Sequence, residues 1–297
     1  MTTTDELDIE PGLVKALVAR AMGVGALAGL LAFLFARIFA EPVIQSAIDY
    51  ESARDDVKNA LAKAAGMPPE PDGPDIFSRF VQSNIGIGVG MILFGVAIGC
   101  FFGAAYCIAY GRVGRVKPRQ LSLLVAAMGF LTLYLVPFLK YPANPPSIGN
   151  PDTIKQRGGL YLIMVLASIV VAIAAVWVGG RLRERFGRWN ATILAALGFI
   201  LVMAVIMAVL PALGQLGVNA ATDGGALTET PKPLHNAAGT LVFPGFDADN
   251  LYRFRLYSVA AQLILWTVLG VGFAPLADRL FNPGQATTSE RDLVTAG

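Results

Sequence analysis

Six stretches of this chain, residues 21–36, 80–111, 120–139, 158–180, 189–222 and 256–277, contain no Asp, Glu, Lys or Arg beyond Arg20, Arg37 and similar residues at their edges. A helix needs about 20 mostly apolar residues to cross a hydrocarbon core about 30 Å thick. These runs predict an all-α, polytopic membrane helix bundle. About six transmembrane helices are expected, at about 13–40, 82–110, 120–139, 158–180, 189–211 and 254–276. Charged residues make up 15% of the chain, against about 25% in soluble domains. A soluble domain, a coiled coil and a disordered chain are thereby excluded. An outer-membrane barrel is excluded as well, because its strands alternate in polarity over about 10 residues. In the first segment only 16 residues separate Arg20 from Arg37, so both must snorkel to the headgroups.

Short loops set the orientation. Residues 112–119 hold Arg112, Arg115, Lys117 and Arg119 and no acid. Residues 181–188 hold Arg181, Arg183, Arg185 and Arg188 against Glu184 alone. The positive-inside rule places both in the cytoplasm. Both follow even-numbered segments, so the N-terminus and the C-terminus are expected to be cytoplasmic. The outer loops are then 41–80, 140–157 and 212–253. The first carries Glu41, Asp49, Glu51, Asp55, Asp56, Glu70, Asp72 and Asp75. The N-terminus (MTTTDELDIE) is acidic where a signal peptide would be basic, which predicts a retained first helix. The whole reads as a single membrane domain over 1–297 in a lipid bilayer, with a flexible C-terminal tail at 282–297. A net charge of +2, with no basic stripe interleaved with aromatics, argues against a nucleic-acid partner.

Outside the membrane little chain remains. Apolar positions Ile44, Ile48, Val57 and Leu61 predict a short interfacial helix over 43–64. Gly66 and the run MPPEPDGPD end it. Residues 214–250 read as an ordered or half-ordered outer loop. No Walker, CxxC, HExxH or GxSxG motif is present, no nucleophile–base pair stands out, and no catalytic residue is assigned.

Gly95, Gly99 and Gly103 are spaced by four in segment two, and segment one answers with Gly25 and Gly29. Small residues at this spacing let helix backbones approach closely; a path along the stripe is the other reading. Cys100 and Cys107, seven apart, read as packing or as a soft-metal pair.

Polar side chains at membrane depth are candidates for function. They are Arg37, Gln82 with Ser83 and Asn84, Lys140 and Gln262. Arg37 and Glu41 are four apart, so they can pair on one helix face. That pair is either a headgroup anchor or the mouth of a path where Glu41 draws in a cation. Pro42 interrupts the helix at this point. From Leu139 to Thr153 four prolines hold the chain extended and leave its carbonyls free for water or a cation. Asp152 or Thr153 is expected to cap the next helix. A tight transition-metal site wants imidazole or thiolate, and His235 is the single histidine. Glu41 and Asn144 remain as weak oxygen ligands, with Glu51 nearby on the outer face.

The segment YLVPFLKYPANPPSIGNPDTIKQR (134–157) resembles the CbtA family of cobalt-transporter subunits. So do FARIFAEPVIQSAIDYE (35–51), GVAIGCFFGAAYCIAYGR (95–112), AAMGFLTLYLVPFLKYP (126–142) and FRLYSVAAQLILWTVLGVGFAPLADRL (254–280). The resemblance implies a multi-pass inner-membrane protein that takes part in cobalt uptake for cobalamin synthesis. Co²⁺ would be cargo and no cofactor would be firmly bound. It also implies a small single-helix partner, CbtB, whose histidines could bind metal. Residues matching the family pattern are Arg37, Glu41, Pro42, Glu51, Gln82, Lys140, Tyr141, Pro142, Asn144, Pro145, Pro146, Arg157, Arg255 and Gln262. Of these, Arg37, Glu41, Glu51, Gln82, Lys140, Tyr141, Asn144 and Gln262 are the candidates for a substrate path or outer mouth. A non-transporting scaffold or assembly subunit is the rival reading, favoured by the glycine stripes.

Overall fold

The computed structural model describes residues 10–68, 78–114, 116–223 and 228–281. Arg115, the proline-rich run through Glu70, Asp72 and Asp75, and the tail after Phe281 lie outside the described residues. The helices are α1 (Pro11–Phe35), α2 (Glu41–Ala64), α3 (Ile87–Ala109), α4 (Pro118–Gly129), α5 (Val136–Lys140), α6 (Ile154–Val209), α7 (Gly217–Asp223) and α8 (Ala248–Phe281). Two short strands, β1 (Leu234–His235) and β2 (Leu241–Phe243), pair antiparallel. Wider π turns at Ala36–Ala40, Val81–Gly86 and Phe130–Leu135 run directly into the helices that follow them. Among the described residues, five helical stretches are long and apolar enough to cross a membrane.

Two of these differ from the sequence reading. The first runs unbroken from Pro11 to Ala64, so the expected interfacial helix is its continuation. Pro42 lies in the first turn of α2, a position that tolerates proline well. The longest stretch, Pro151–Gln215, absorbs the expected loop at 181–188. Within it, Gly187 has φ 75° and ψ 167°, a backbone region almost reserved for glycine. The chain folds back there. A Cβ on Gly179 would stand 3.1 Å from the Ala195 Cβ, whereas 16 residues of straight helix span about 24 Å. The fourth and fifth predicted segments are therefore the two arms of a hairpin with almost no loop. Leu162, Leu166, Val170, Ile173 and Leu201 are exposed along these arms. An apolar exposed surface of that extent suits a lipid environment.

The chain divides into two compact units. One comprises the described residues within 1–38, 75–130 and 259–297. Its centre is α1 against α3. A Cβ on Gly25 would run into the Gly95 carbonyl, one on Gly29 into that of Met91, and one on Gly99 into that of Ala21. On Gly103 it would sit 2.9 Å from the Val18 Cα. The backbones touch because these glycines lack side chains. In the same unit, Ser122 Oγ on α4 donates to the Gly270 carbonyl on α8 at 2.7 Å. Gly129 leaves room there for the Trp266 ring. Tyr106 is fully buried, meets the Phe273 ring edge-on at 5.1 Å and donates to the Pro118 carbonyl at 3.2 Å.

The other unit comprises the described residues within 39–74 and 131–258. Its core gathers Val136, Tyr141, Met164 and Met203. Pro137 has no N–H, so it cannot serve the Leu133 carbonyl in α-helical spacing or the Thr132 carbonyl in π spacing. Hydroxyls on α6 take both: Tyr161 donates to Leu133 at 3.3 Å and Ser168 to Thr132 at 2.5 Å. The segment 231–250 is held on α2. Tyr50 donates to the Pro244 carbonyl at 2.9 Å and packs between Phe243 and Phe246. Arg54 donates to the Lys232 carbonyl at 3.2 Å, and Asn250 to Ser46 at 2.6 Å.

Candidate functional site

The sequence segment richest in proline builds one wall of a polar pocket in the second unit. Helix α5 stops because Tyr141 precedes Pro142 and takes φ −126°, ψ 73°. From Tyr141 to Asn150 the chain makes no regular element. Ser147 (φ 69°) and Gly149 (φ 140°) turn it back. Asn150, rather than Asp152 or Thr153, does the capping: its Oδ1 accepts from the Asp152 N–H at 3.0 Å. An Asx turn of this kind starts the 3₁₀ turn Pro151–Thr153 that leads into α6.

Thr153 is spent elsewhere. Its hydroxyl donates to Glu229 Oε1 at 2.5 Å, with the Asn150 carbonyl 2.9 Å away as the alternative acceptor. Asn219 Nδ2 donates to the same Oε1 at 2.6 Å and to the Leu213 carbonyl at 2.8 Å. Asn150 Nδ2 donates to Asn219 Oδ1 at 2.9 Å. Glu229 Oε2 lies 3.1 Å from Arg157 Nη1, close enough for an ion pair but outside hydrogen-bond geometry. The Glu229 side chain is 1% exposed. A buried carboxylate is tolerated only when its oxygens are met in this way. The network therefore fixes the proline-rich loop to the loop that follows α7.

Beside it lies a small cavity of about 60 Å³. Lys140, Asn144, Leu213, Thr228, Glu229 and Arg255 line it. Arg255 on α8 braces the loop, donating Nε to the Ala143 carbonyl at 3.2 Å and Nη2 to Asn144 Oδ1 at 3.0 Å. Lys140 Nζ stands 5.7 Å from the centre of the Tyr141 ring. Tyr141 is buried and donates to the Pro211 carbonyl at 3.0 Å. Burial pushes its phenol up from the ordinary tyrosine value, so it stays a donor at neutral pH.

Of the residues picked from sequence, Lys140, Tyr141 and Asn144 come together here. Glu41 opens α2 and Glu51 lies half-buried further along it; neither lines the cavity. Arg37, Gln82 and Gln262 belong to the other unit. There Arg37 Nε donates to Asn84 Oδ1 at 2.9 Å, Gln82 lies in the π turn Val81–Gly86, and Gln262 is half-buried on α8. Cys100 and Cys107 are free thiols. His235 is exposed on β1. Among the described residues, no three His, Cys, Asp or Glu side chains cluster as a metal cage would require.

Sequence reasoning missed Glu229, Asn219 and the internal role of Thr153, and reached Arg157 and Arg255 only through resemblance. One signal was present: Glu229 is the sole glutamate between Glu184 and Glu290.

No curated protein and no solved structure matches this chain. One family model does, that of CbtA, described as a probable cobalt transporter subunit, over residues 14–278. That span takes in all five long apolar helical stretches nearly whole, together with the pocket. The chain is a multi-pass membrane protein and belongs to the CbtA family of probable cobalt transporter subunits.

Proposed function

We propose that this protein is the membrane-embedded subunit of a cobalt or other divalent-metal uptake system of the inner membrane, supplying metal for cobalamin. The observation that carries the reading is the family match over 14–278 on a chain with five membrane-length helical stretches. The termini lie in the cytoplasm, by the basic stretches at 112–119 and 181–188. Glu41 and Glu51 draw the cation to the outer face. Asn144, whose amide oxygen has a second lone pair beyond the one facing Arg255, is the weaker ligand. Transport calls for loose, partly hydrated binding, so a closed cage is not required of this chain. A small partner with one membrane helix and metal-binding histidines, CbtB-like, would capture the ion first.

The test is radioactive Co²⁺ uptake in cells without other cobalt importers, with the protein alone and with such a partner. Glu41→Ala is compared at matched abundance. Uptake that needs the protein and falls in the variant supports the reading; no uptake in either pairing, with the protein well expressed, overturns it.

One observation favours a second reading, a scaffold that does not transport. The polar pocket is lined by Lys140 and Arg255, which repel a divalent cation. A scaffold would co-purify with its partner in fixed ratio and tolerate Glu41→Ala.

A further inference from the structure

The pocket beside the proline-rich loop has more hydrogen-bond donors than its own acceptors can use. Two cations line it. Lys140 makes no ion pair among the described residues, its one contact of note being the Tyr141 ring. Arg255 spends Nε and Nη2 on two neutral oxygens, the Ala143 carbonyl and the Asn144 amide, so its charge too lacks a carboxylate. The single acid in the lining, Glu229, is turned to other partners. Its Oε1 takes two donors and its Oε2 faces Arg157. What remains on offer is the Lys140 ammonium, the second Arg255 amino group and the Asn144 Nδ2, joined by the Thr228 hydroxyl when it accepts rather than donates in its 2.6 Å bond with Thr230.

Two half-buried cations, neither paired with a carboxylate, make this side of the cavity electropositive, which favours a bound anion. The arrangement also fits chemically. A guanidinium amino group and an ammonium both make charge-assisted hydrogen bonds to a carboxylate or phosphate group. A cavity of about 60 Å³ has room for about four to six waters at one per ~10–15 Å³, enough for a group of four or five heavy atoms. Glu229 then acts as a limit on the ligand. Held in place by Thr153 and Asn219, it disfavours negative charge on the far side.

We propose that the cavity bounded by Lys140, Asn144, Thr228 and Arg255 binds a small oxyanion, of the carboxylate or phosphate class. The inference rests on the pocket alone and stands whether or not the chain moves cobalt. The oxyanion is either free in solution or the phosphate of an anionic lipid headgroup. In both cases the same four donors meet the same oxygens.

The experiment uses the full-length protein in nanodiscs. Inorganic phosphate and acetate are titrated into discs of neutral phosphatidylcholine, with binding read by calorimetry and by the rise in melting temperature. A second series replaces part of the lipid with phosphatidylglycerol. Lys140→Gln removes the charge at similar size, and Lys140→Arg restores it. Wild type is expected to bind saturably in one of the two series, with roughly tenfold or greater weakening in Lys140→Gln and recovery in Lys140→Arg. Binding in neutral discs identifies a soluble anion. A melting temperature that rises only with phosphatidylglycerol, in wild type and Lys140→Arg but not in Lys140→Gln, identifies the headgroup. Equal binding by wild type and Lys140→Gln, or no response in either series, overturns the proposal. Because Lys140 makes no ion pair among the described residues, Lys140→Gln should melt with the wild type in neutral, anion-free discs, which separates lost binding from lost fold.

Discussion

Arg157 reaches Glu229 across the backbone of Gly149. A Cβ at that position would stand 2.7 Å from Arg157 Nη1 and 3.4 Å from Glu229 Oε2. The absence of a side chain at residue 149 is what lets a buried carboxylate and its guanidinium lie 3.1 Å apart.

Glu229→Ala should therefore be among the most damaging changes outside the membrane-length helices. It strips an acceptor from Thr153 and Asn219 and leaves Arg157 facing no charge. Removing one partner of a buried pair costs about 3–5 kcal/mol. Gly149→Ala should act in the same direction by a different route, pushing the guanidinium away at an already left-handed φ of 140°. Thermal melting in detergent would check both, and a Glu229→Ala protein as stable as wild type would show the network to be ornamental.

The glycine contact between α1 and α3 makes a second prediction, with a built-in control. Gly95→Leu forces a side chain into the Gly25 carbonyl, whereas the space around Gly90 on the same helix is open. Overpacking costs about 1–3 kcal/mol or more when backbones must part. Gly95→Leu should lower the yield of folded protein and Gly90→Leu should not, read by size-exclusion of a fluorescent fusion.

Gly187 offers a test of pure backbone preference, since nothing lies within 4 Å of where its Cβ would be. Gly187→Ala should cost about 1–3 kcal/mol through conformation alone. Hydrogen exchange should then rise at the hairpin tip and stay unchanged along α1.

The hydroxyl contacts to the π turn can be measured by a double-mutant cycle. Ser168→Ala should cost about 1–2 kcal/mol, within the range for polar contacts between membrane helices. In a Pro137→Ala background, where residue 137 again has an N–H to give, the cost of Ser168→Ala should shrink. An unchanged cost would mean that Ser168 acts through packing instead.

How far the sequence led differs between elements. The apolar runs were legible because desolvation of charge leaves no alternative; the helices at 87–109 and 248–281 follow from hydropathy and length. The glycine spacing was equally readable, since only a missing Cβ permits backbone contact. The tightness of the turn at Gly187 was hidden. Arg181, Arg183, Arg185 and Arg188 read as a loop, yet long polar side chains suit a helix as well as a turn, and one glycine sufficed to reverse the chain. The pocket was half visible: Lys140, Tyr141 and Asn144 are neighbours in sequence and stand out by composition. Glu229, Asn219, Arg157 and Arg255 join them only through folding, with Arg255 meeting Asn144 from 111 residues away, and no local pattern marks such a meeting.

The missing N–H of Pro137 also bears on how the chain is made. A helix short of one backbone donor is penalised by several kcal/mol when it faces hydrocarbon alone. In Pro118–Lys140 residue 137 has no N–H to give, and the Leu133 carbonyl accepts from the Tyr161 hydroxyl. That hydroxyl belongs to the next membrane stretch to be synthesised. During biogenesis the two stretches should thus leave the translocation channel as a pair, the earlier one waiting at its lateral exit for the later.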